Sequence, residues 1–572
     1  MRITRRAALI SASVAGIGGA SWWATRSGNA PRGRFTQKPG KRHNILFVLS
    51  DQERAWEMYP SGFIDKHTPA RAWLRDNGVN FMRFQTPNAL CSPARGVIVS
   101  GAHSPQNGLW DNTPLPYSTP LHVDRPTIGS LLQDAGYITG YAGKWHLSHT
   151  PIKDVATAKD RQAFTQTIKS YGFTESEVDV ELDGPLGGWE HDGRTVDQAI
   201  AFLQRRKSDD TPWFLSVNLL NPHDVMFYTS GDAMTKSRVS QFPDASARPA
   251  LQDPLYAEDL GYPLSDHFGP ASYGDRPPAV REFDLGFSEA LGYFPYDDPV
   301  AGRDMQNFYW NCTRDCDRHL ARLLDTVRSM NLINNTIIVF TSDHGEILGT
   351  HGVRGKGPGV FREQSHVPAI IVHPEAAKGI EVTTPLSHVD WVPTLLSFAG
   401  VAEDDLKAQM PMVVGRDFSS VVFNPARSHS RDDDGVLMMW TSLVFQNHKS
   451  VRAFDKARRL SGPQKILAMR ELMQQGLPKR GHMRAIYDGR WKFARYSSPL
   501  EIGQPQTFAE LRAGYDLELY DTLSDPSELT NLAAKPAAVE EILTSLNRRL
   551  NLLIDQEIGV DDGSFLPIFI KI

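Results

Sequence analysis

Short apolar runs alternate with amphipathic segments along much of the chain. The runs have the length of strands and are followed by polar residues; they are Asn44–Ser50, Tyr137–Ala142, Trp213–Leu219, Thr336–Phe340 and Ala369–Val372. Between them, apolar residues recur with helical spacing in Pro126–Asp134, Val196–Arg206 and Asn307–Met330. Buried strands that alternate with amphipathic helices predict an α/β fold, in which a large, mostly parallel sheet is flanked by helices.

Two stretches lack this alternation. Residues 225–300 are rich in Pro, Asp, Tyr, Phe and Gly, and we interpret them as a long insertion that forms a lid or a pocket wall. Residues 425–482 are charged and irregular at first and then helical. Both stretches are therefore predicted to lie outside the sheet rather than to contribute strands to it.

The composition changes near Gly481, where a smaller unit is predicted to begin. Residues 485–495 alternate like one antiparallel strand, Leu517–Asp521 is a further short strand, and a final helix is expected from about Ala537 to Leu552. The predicted division of the chain is a signal peptide at 1–30, a linker at 31–43, a main domain at 44–480 and a C-terminal α+β subdomain at 481–572.

The first residues have the pattern of an export signal. Thr4-Arg5-Arg6 precedes a run of small and apolar residues from Ala7 to Ala20, and a stretch rich in Ser, Gly, Pro and Arg follows. Paired arginines before a short apolar run are typical of the twin-arginine signal. The run is too short for a stable membrane span. We expect a bacterial protein that is periplasmic or secreted.

Composition narrows the function classes. The 572 residues carry a net charge of −5, with 41% hydrophobic and 22% charged residues, which is an ordinary globular balance and not the basic footprint of a nucleic-acid-binding protein. Cys312 and Cys316 lie four residues apart on a predicted helix. Their Cβ atoms would be about 5–6 Å apart, beyond the roughly 3.5–4.5 Å of a disulfide, so we expect packed free thiols.

The first candidate for chemistry is the remaining cysteine, Cys91, in the segment Cys91-Ser-Pro-Ala-Arg95. Pro93 stands where the first turn of a helix is expected, so the positive end of that helix would face an anionic centre near Cys91. A buried free cysteine beside a helix start is the plainer interpretation of this segment alone.

Polar groups that suit a metal ion follow two of the predicted strands. Asp51-Gln52 comes directly after the first strand, and Asp343-His344 comes just after the strand Thr336–Phe340. Divalent cations need clustered ligands from separate strand ends. Taken singly, each pair is weak evidence, because an Asp at a strand end often only caps the next helix.

Further basic residues lie at other predicted strand ends and in a loop. Lys144 and His146 follow the Tyr137–Ala142 strand, and His223 follows the Trp213–Leu219 strand. Lys356 lies in a Gly-Lys-Gly loop, which by itself is a common solvated turn.

Together these six elements resemble the sulfatase family, in whose Cys-x-Pro-x-Arg motif the cysteine is oxidised to formylglycine (3-oxoalanine). They occur in the order that sulfatases use, over about residues 42–400. The resemblance implies an alkaline-phosphatase-like fold and hydrolysis of a sulfuric ester. It also implies a second protein as partner, the maturation enzyme that generates formylglycine from Cys91.

The same resemblance implies a role for each candidate. The implied metal ligands are Asp51, Gln52, Asp343, His344 and the matured Cys91. The family usually holds Ca²⁺, while the amide and the imidazole leave Mn²⁺ and Mg²⁺ open. The implied catalytic residues are Cys91, Arg95, Lys144, His146, His223 and Lys356. In these roles Arg95 holds the nucleophile, the lysines neutralise sulfate and leaving oxygens, His223 protonates the leaving alcohol, and His146 removes the proton that releases sulfate.

Three questions stay open at this stage. Asn107 stands where many relatives have a histidine, which leaves the local hydrogen bonding undetermined. The same scaffold and nucleophile also serve phosphonate monoester and phosphodiester hydrolases, and a non-catalytic exported binding protein is a third interpretation. The alcohol that carries the sulfate is undetermined, with aryl, choline-like and carbohydrate esters all open.

Overall fold

The apolar runs predicted as strands form the centre of a large sheet. The computed structural model describes Phe35 and residues 40–149, 157–176, 184–237, 253–270 and 274–566, so the predicted signal peptide lies outside the described residues. The strands in the described part are β1 (Asn44–Asp51), β2 (Val79–Phe81), β3 (Phe84–Gln85), β4 (Ile138–Gly143), β5 (Glu175–Ser176), β6 (Trp213–Pro222), β7 (Thr336–Ser342), β8 (Ala369–Val372), β9 (Ile380–Val382), β10 (Leu386–Ser387), β11 (Val436–Thr441), β12 (His482–Tyr487), β13 (Trp491–Ser497) and β14 (Asp516–Asp521).

Eight of these strands form the main sheet, in the order β5-β4-β6-β1-β7-β8-β2-β9. The neighbours from β5 to β7 are parallel, and β8 runs antiparallel to both β7 and β2. The predicted fold class, a large and mostly parallel sheet with a smaller unit beside it, is confirmed.

Helices cover both faces of this sheet. The helices of the described part are α1 (Phe63–His67), α2 (Pro69–Asn77), α3 (Cys91–Ser100), α4 (Ser104–Asn107), α5 (Ile128–Asp134), α6 (Ala158–Ser170), α7 (Gly187–Arg206), α8 (Asp232–Ser237), α9 (Pro254–Ala257), α10 (Pro278–Leu291), α11 (Pro299–Ser329), α12 (Arg362–Ser365), α13 (Trp391–Phe398), α14 (Glu403–Gln409), α15 (Ser419–Phe423), α16 (Ser430–Asp434), α17 (His448–Arg458), α18 (Gly462–Gly476), α19 (Phe508–Gly514) and α20 (Glu540–Glu557).

The alternation of side chains along β1 shows how the two faces are buried. Ile45, Phe47 and Leu49 pack in one core with α5 and α13. Leu46 and Val48 point to the opposite face and pack with α2, α7 and α11. A strand buried on both faces has no polar side, and this is why its sequence is a continuous apolar run.

Helix α11 begins eight residues before the predicted start at Asn307. The Asp298 side chain accepts hydrogen bonds from the backbone of Val300 and Ala301, at 2.9 and 3.2 Å, and Pro299 occupies the first helical position. Cys312 and Cys316 are buried free thiols on this helix, as predicted.

The smaller unit contains a four-stranded antiparallel sheet in the order β11-β12-β13-β14. The prediction of one strand over residues 485–495 is wrong, because β12 and β13 pair as a hairpin. Their turn is closed by Asp488, whose Oδ1 accepts from the backbone of Arg490 and Trp491 at 3.0 and 2.7 Å, and Gly489 takes a positive φ of 95°. Strand β11 comes from the stretch predicted to be irregular; the domain division stays a prediction.

Helix α20 packs on one face of the small sheet, and its last residue contacts two residues that precede β11 in the chain. Glu557 pairs with Arg431 and, at 2.8 Å, with His103. Among the described residues, no helix combines the length and the apolar character needed to cross a membrane.

Candidate active site

The predicted site residues meet at the carboxyl ends of the central parallel strands. Asp51 ends β1, Lys144 directly follows β4, His223 directly follows β6, and Asp343 directly follows β7. Helix α3 begins at Cys91, beside these strand ends. Clefts at the carboxyl ends of parallel strands are where α/β folds place their ligands.

Arg95 joins the two buried carboxylates of the site. Its Nη2 donates to Asp51 Oδ2 at 3.0 Å and its Nε donates to Asp343 Oδ2 at 2.9 Å. Lys144 Nζ lies 2.9 Å from Asp51 Oδ2. Burial favours a raised pKa for Asp51, but Lys144, His223 and Arg95 hold it well below the usual range of a carboxyl. Burial and the neighbouring Asp51 raise the pKa of Asp343.

The Cys91 thiol is the centre of the cluster and is only 1% exposed. Lys356 Nζ lies 2.8 Å from its Sγ, and His344 Nε2 lies 3.3 Å away. Burial alone would raise the pKa of the thiol, yet Lys356, Lys144 and His344 together hold that pKa well below its usual range. The site therefore stabilises negative charge at the atom attached to Cβ of residue 91.

Four buried side chains offer the ligand set for a metal ion. One ligand atom each from Asp51, Cys91, Asp343 and His344 lies within 4.8 Å of all the others. His344 Nδ1 lies 2.9 Å from the carbonyl oxygen of Gly345, so Nε2 is the ring nitrogen that faces the cluster. Clustered carboxylate oxygens with one imidazole nitrogen fit a divalent cation.

Gln52 and Lys356 are held together by a residue that the sequence analysis did not single out. Lys356 Nζ donates to Gln52 Oε1 at 2.8 Å, and Gln52 Nε2 donates to Glu346. The Glu346 carboxylate also accepts from the backbone of Leu348 and Gly355, at 2.8 and 2.6 Å. Glu346 follows Asp343 by three residues, and this closeness to a predicted metal ligand is the only feature of the sequence that could have indicated its place in the site.

Left-handed backbone conformations cluster at this site. Gln52, His146, Leu348 and His351 have φ values of 68°, 56°, 57° and 60°. Such conformations are costly for residues other than glycine and persist where the surroundings enforce them. At His146 the carbonyl oxygen accepts from Ser92 Oγ at 2.6 Å and from Thr113 Oγ1 at 3.0 Å, which ties this segment to the start of α3.

The two catalytic histidine candidates act on different groups of the cluster. A hydrogen bond from His146 contributes to the lowered pKa of the Cys91 thiol. His223 is 2% exposed and lies close enough to Asp51 for its charge to lower the pKa of that carboxyl. All the predicted catalytic and metal-ligand candidates are thus brought into one cluster, whereas their chemical roles stay predictions.

The hydrogen bonds of the Asn107 side chain are made within its own turn, away from Cys91. Its Nδ2 donates to the Ala102 carbonyl at 2.8 Å, and its Oδ1 accepts from the Leu109 backbone at 2.8 Å. Both bonds close the short turn around α4, so Asn107 supports the end of α3 rather than Cys91 at its beginning.

A cluster of buried carboxylates and cationic side chains at the carboxyl ends of parallel strands is an arrangement typical of hydrolases that act on anionic esters. The sequence model of the Sulfatase family matches residues 43–401. The chain belongs to the sulfatase family, whose members are sulfuric ester hydrolases.

The chain is similar to a curated sulfatase in sequence and to sulfatases and a phosphonate monoester hydrolase in fold. The chain is 27% identical over 393 residues to the N-acetylglucosamine-6-O-sulfatase of Bacteroides thetaiotaomicron, covering 63% of this chain and 68% of that protein. Its fold is similar to a solved 2-O GAG sulfatase, with a TM-score of 0.62 and 18% identity over 90% of this chain and 93% of that one. It is also similar to the phosphonate monoester hydrolase of Silicibacter pomeroyi, with a TM-score of 0.59 and 19% identity over 91% and 97% of the chains.

Proposed function

We propose that the protein hydrolyses a sulfate monoester of a carbohydrate or an aryl alcohol, with a formylglycine made from Cys91 as its nucleophile. The observation that carries this proposal is the surroundings of Cys91. Its Sγ is buried, 2.8 Å from Lys356 Nζ and 3.3 Å from His344 Nε2. A structural cysteine has no need of such positive surroundings, whereas a nucleophile that attacks an anionic ester does.

We further propose that the cluster holds a divalent cation, Ca²⁺ in the first instance, through Asp51, Gln52, Asp343 and His344. When bound, this cation would polarise the sulfate group and draw negative charge from its oxygens. The formylglycine, once formed, would supply a hydrated aldehyde with a hydroxyl that can attack sulfur.

The side chains of the chain itself would then bind and orient the substrate. Lys144 and Lys356 each hold a fixed positive charge at the site, where it can balance the charge of a sulfate group. Since both are buried, their attraction for an anion is stronger than it would be in water. Arg95 fixes the two carboxylates and so the geometry around residue 91.

Two histidines would move the protons of the reaction. His146 hydrogen-bonds the side chain of residue 91 and would take a proton from it after the attack. His223 lies close to Asp51 and would give a proton to the leaving alcohol. Separate residues would thus serve the two proton transfers.

The test is hydrolysis of p-nitrophenyl sulfate, a p-nitrophenyl phosphodiester and a phosphonate monoester by the matured protein, with Cys91→Ala and Cys312→Ala in parallel. Cys312 is a buried thiol outside the cluster, so Cys312→Ala controls for the loss of a packed cysteine. We expect the sulfate ester to be cleaved best, Cys91→Ala to fall to the blank rate and Cys312→Ala to stay active.

Other outcomes would correct the proposal in defined ways. Preference for a phosphorus ester would replace the substrate class and keep the nucleophile. Activity of Cys91→Ala near that of the wild type would refute the nucleophile itself. Mass spectrometry of the peptide that contains residue 91 checks that sulfur has been replaced by oxygen in the active preparation.

A further inference from the structure

The segment that carries Lys356 has a glycine at every second position. Its sequence is Gly355-Lys356-Gly357-Pro358-Gly359, and it belongs to no helix or strand. Glycine permits many backbone conformations, so this sequence does not by itself fix the position of Lys356. Yet Lys356 Nζ lies 2.8 Å from Cys91 Sγ in a buried site. Groups from elsewhere in the chain therefore have to hold the segment in place.

The small sheet holds the backbone that follows Lys356. Two side chains of β13 contact carbonyl oxygens there: Lys492 Nζ lies 2.9 Å from that of Val360, and Tyr496 Oη lies 2.8 Å from that of Pro358. Pro358 is buried, and no other donor to its carbonyl oxygen is found in the described part of the chain. This carbonyl thus depends on the hydroxyl of Tyr496.

Tyr496 has a second partner, although its hydroxyl carries only one proton. Its Oη also lies 2.5 Å from Oε2 of Glu518 on β14, a residue that is fully buried. The other carboxylate oxygen of Glu518 lies 3.1 Å from Oη of Tyr520. An ionised carboxylate can only accept hydrogen bonds, and it attracts a proton donor more strongly than a carbonyl does. When Glu518 is ionised, the Tyr496 proton is therefore drawn to it and away from Pro358.

Protonation of Glu518 reverses this chain of hydrogen bonds. A carboxylic acid can donate to Tyr496 Oη, which leaves the proton of the phenol for the Pro358 carbonyl. The phenol itself stays protonated, because burial and Glu518 raise the pKa of Tyr496 well above its usual range. Only the protonated form of Glu518 thus gives all three groups a hydrogen-bond partner.

The surroundings of Glu518 allow both forms to exist near neutral pH. Burial, which has the largest effect, raises the pKa of its carboxyl to about 7. The titratable and charged groups that act on Glu518 or on Tyr496 are Tyr520 of β14, Arg276 from the segment before α10, Glu528 from the loop after β14 and Asp516 at the start of β14. Arg276 and the two phenols lower the pKa of Glu518, and Glu528 raises it.

We propose that Tyr496 and Glu518 are positioning residues for Lys356, and that Tyr496 holds the Pro358 carbonyl in place only while Glu518 is protonated. The inference rests on the proposed function, in which Lys356 balances the charge of the sulfate group. It adds a control by pH that comes from the small sheet, outside the cluster of site residues. Lys356 is held most firmly in slightly acidic solution and less firmly as Glu518 ionises.

The test is the pH profile of kcat on p-nitrophenyl sulfate for the matured wild type, Glu518→Gln, Tyr496→Phe and the control Tyr520→Phe. Glutamine replaces the protonated acid with a neutral group whose amide can still donate to Tyr496. Tyr520→Phe removes a buried phenol from the same carboxylate and leaves the Pro358 contact intact. Thermal unfolding first checks that each variant is folded.

We expect the ratio of kcat between Glu518→Gln and wild type to rise by about 5-fold from about pH 6 to about pH 8, because only the wild type loses the Pro358 contact. Tyr496→Phe should lie about 5-fold below the wild type near pH 6 and approach it near pH 8. Tyr520→Phe should keep the decrease of the wild type but at higher pH, since it lacks a hydrogen bond that lowers the pKa of Glu518.

The titration of Glu518 is also measurable without the reaction. Its pKa is 4.5 in the unfolded chain and about 7 in the folded protein, so between these values the folded protein binds more protons. The free energy of unfolding of the wild type should therefore fall relative to that of Glu518→Gln as pH rises through this range. Urea titrations of the protein with an unmodified Cys91 measure the difference.

Three results would overturn the inference. They are a ratio of kcat between Glu518→Gln and wild type that does not change with pH, a loss in Tyr496→Phe that is the same at every pH, and urea titrations that show no pH-dependent difference. The second of these would make Tyr496 a structural residue of the small sheet. Failure of the proposed function is a separate result, in which the matured wild type cleaves no sulfate ester while the urea titrations still report the proton of Glu518.

Discussion

Lys356 makes a direct contact with the reacting position, and its removal is the sharpest test of a single side chain. Its Nζ contacts both Cys91 Sγ and Gln52 Oε1, at 2.8 Å each. Replacing it with Met should lower kcat on p-nitrophenyl sulfate by about 100- to 1,000-fold, because the positive charge is needed most where negative charge develops. Lys378→Met, at an exposed lysine outside the cluster, is the matched control and should keep full activity. A decrease in kcat of less than 10-fold in Lys356→Met, which corresponds to about 1.4 kcal/mol of activation free energy, would contradict this role.

Residues that follow predicted strands could be found from the sequence pattern, whereas Lys356 in its loop was found only through the family resemblance and Glu346 was missed. Asp51, Lys144 and Asp343 stand directly beyond apolar runs, and parallel strands bring such positions to one edge. The position of Glu346 depends instead on a loop with left-handed residues at Leu348 and His351, and no periodicity encodes that conformation.

The end of β4 depends on a glycine whose backbone no other residue can adopt at low cost. Gly143 has a φ of 91°, and a Cβ built on it would lie 2.0 Å from the carbonyl oxygen of Asn218 on β6. Gly143→Ala should therefore lower the free energy of unfolding by about 2–5 kcal/mol and displace Lys144, with a loss of kcat. Gly514→Ala, at a glycine with open space around it, is the control. Urea unfolding and p-nitrophenyl sulfate hydrolysis measure the two effects; equal behaviour of both variants would refute the prediction.

Among the secondary-structure elements, the strands that are long and buried were predicted from the sequence. The runs that became β1, β4, β6, β7 and β8 were apolar throughout because both of their faces are covered. The two-residue β5 and the three-residue β2 and β9 are too short to show a period. Residues 485–495 were predicted as one strand because alternation continues on both sides of the Asp488-Gly489 turn, although that dipeptide is itself a hairpin signal.

The contribution of His482 to the stability of the molecule should be lost as the solution becomes acidic. His482 is buried between the small sheet and the chain near Asp561, and burial and Arg484 lower its pKa from 6.5 to about 4. Between these values the unfolded chain binds more protons than the folded one, so stability is complete above the unfolded pKa and is lost as pH falls toward the folded pKa. Below 4.5, Glu557, whose pKa is lowered to about 2 beside Arg431 and His103, adds a loss of the same sign.

His482→Gln tests this assignment. It should reduce the slope of the unfolding free energy against pH by about 1.4 kcal/mol per unit between about pH 6.5 and 4. His122→Gln, at an exposed histidine, should keep the wild-type slope. Urea titrations at several pH values give the slopes, and identical slopes for the His482→Gln and wild-type proteins would contradict the assignment.

The burial of Cys91 limits the time at which residue 91 can be modified. With 1% of the residue exposed, and with side chains from β1, β7 and the Lys356 loop around it, the folded protein gives a second enzyme no access to this position. If formylglycine is made here, its formation and the closure of the fold compete in time. Each chain therefore either carries formylglycine when it folds or keeps the cysteine. A preparation should be a fixed mixture of active and inactive molecules, whose ratio is set during synthesis. Adding the maturation enzyme to folded protein should not change this ratio.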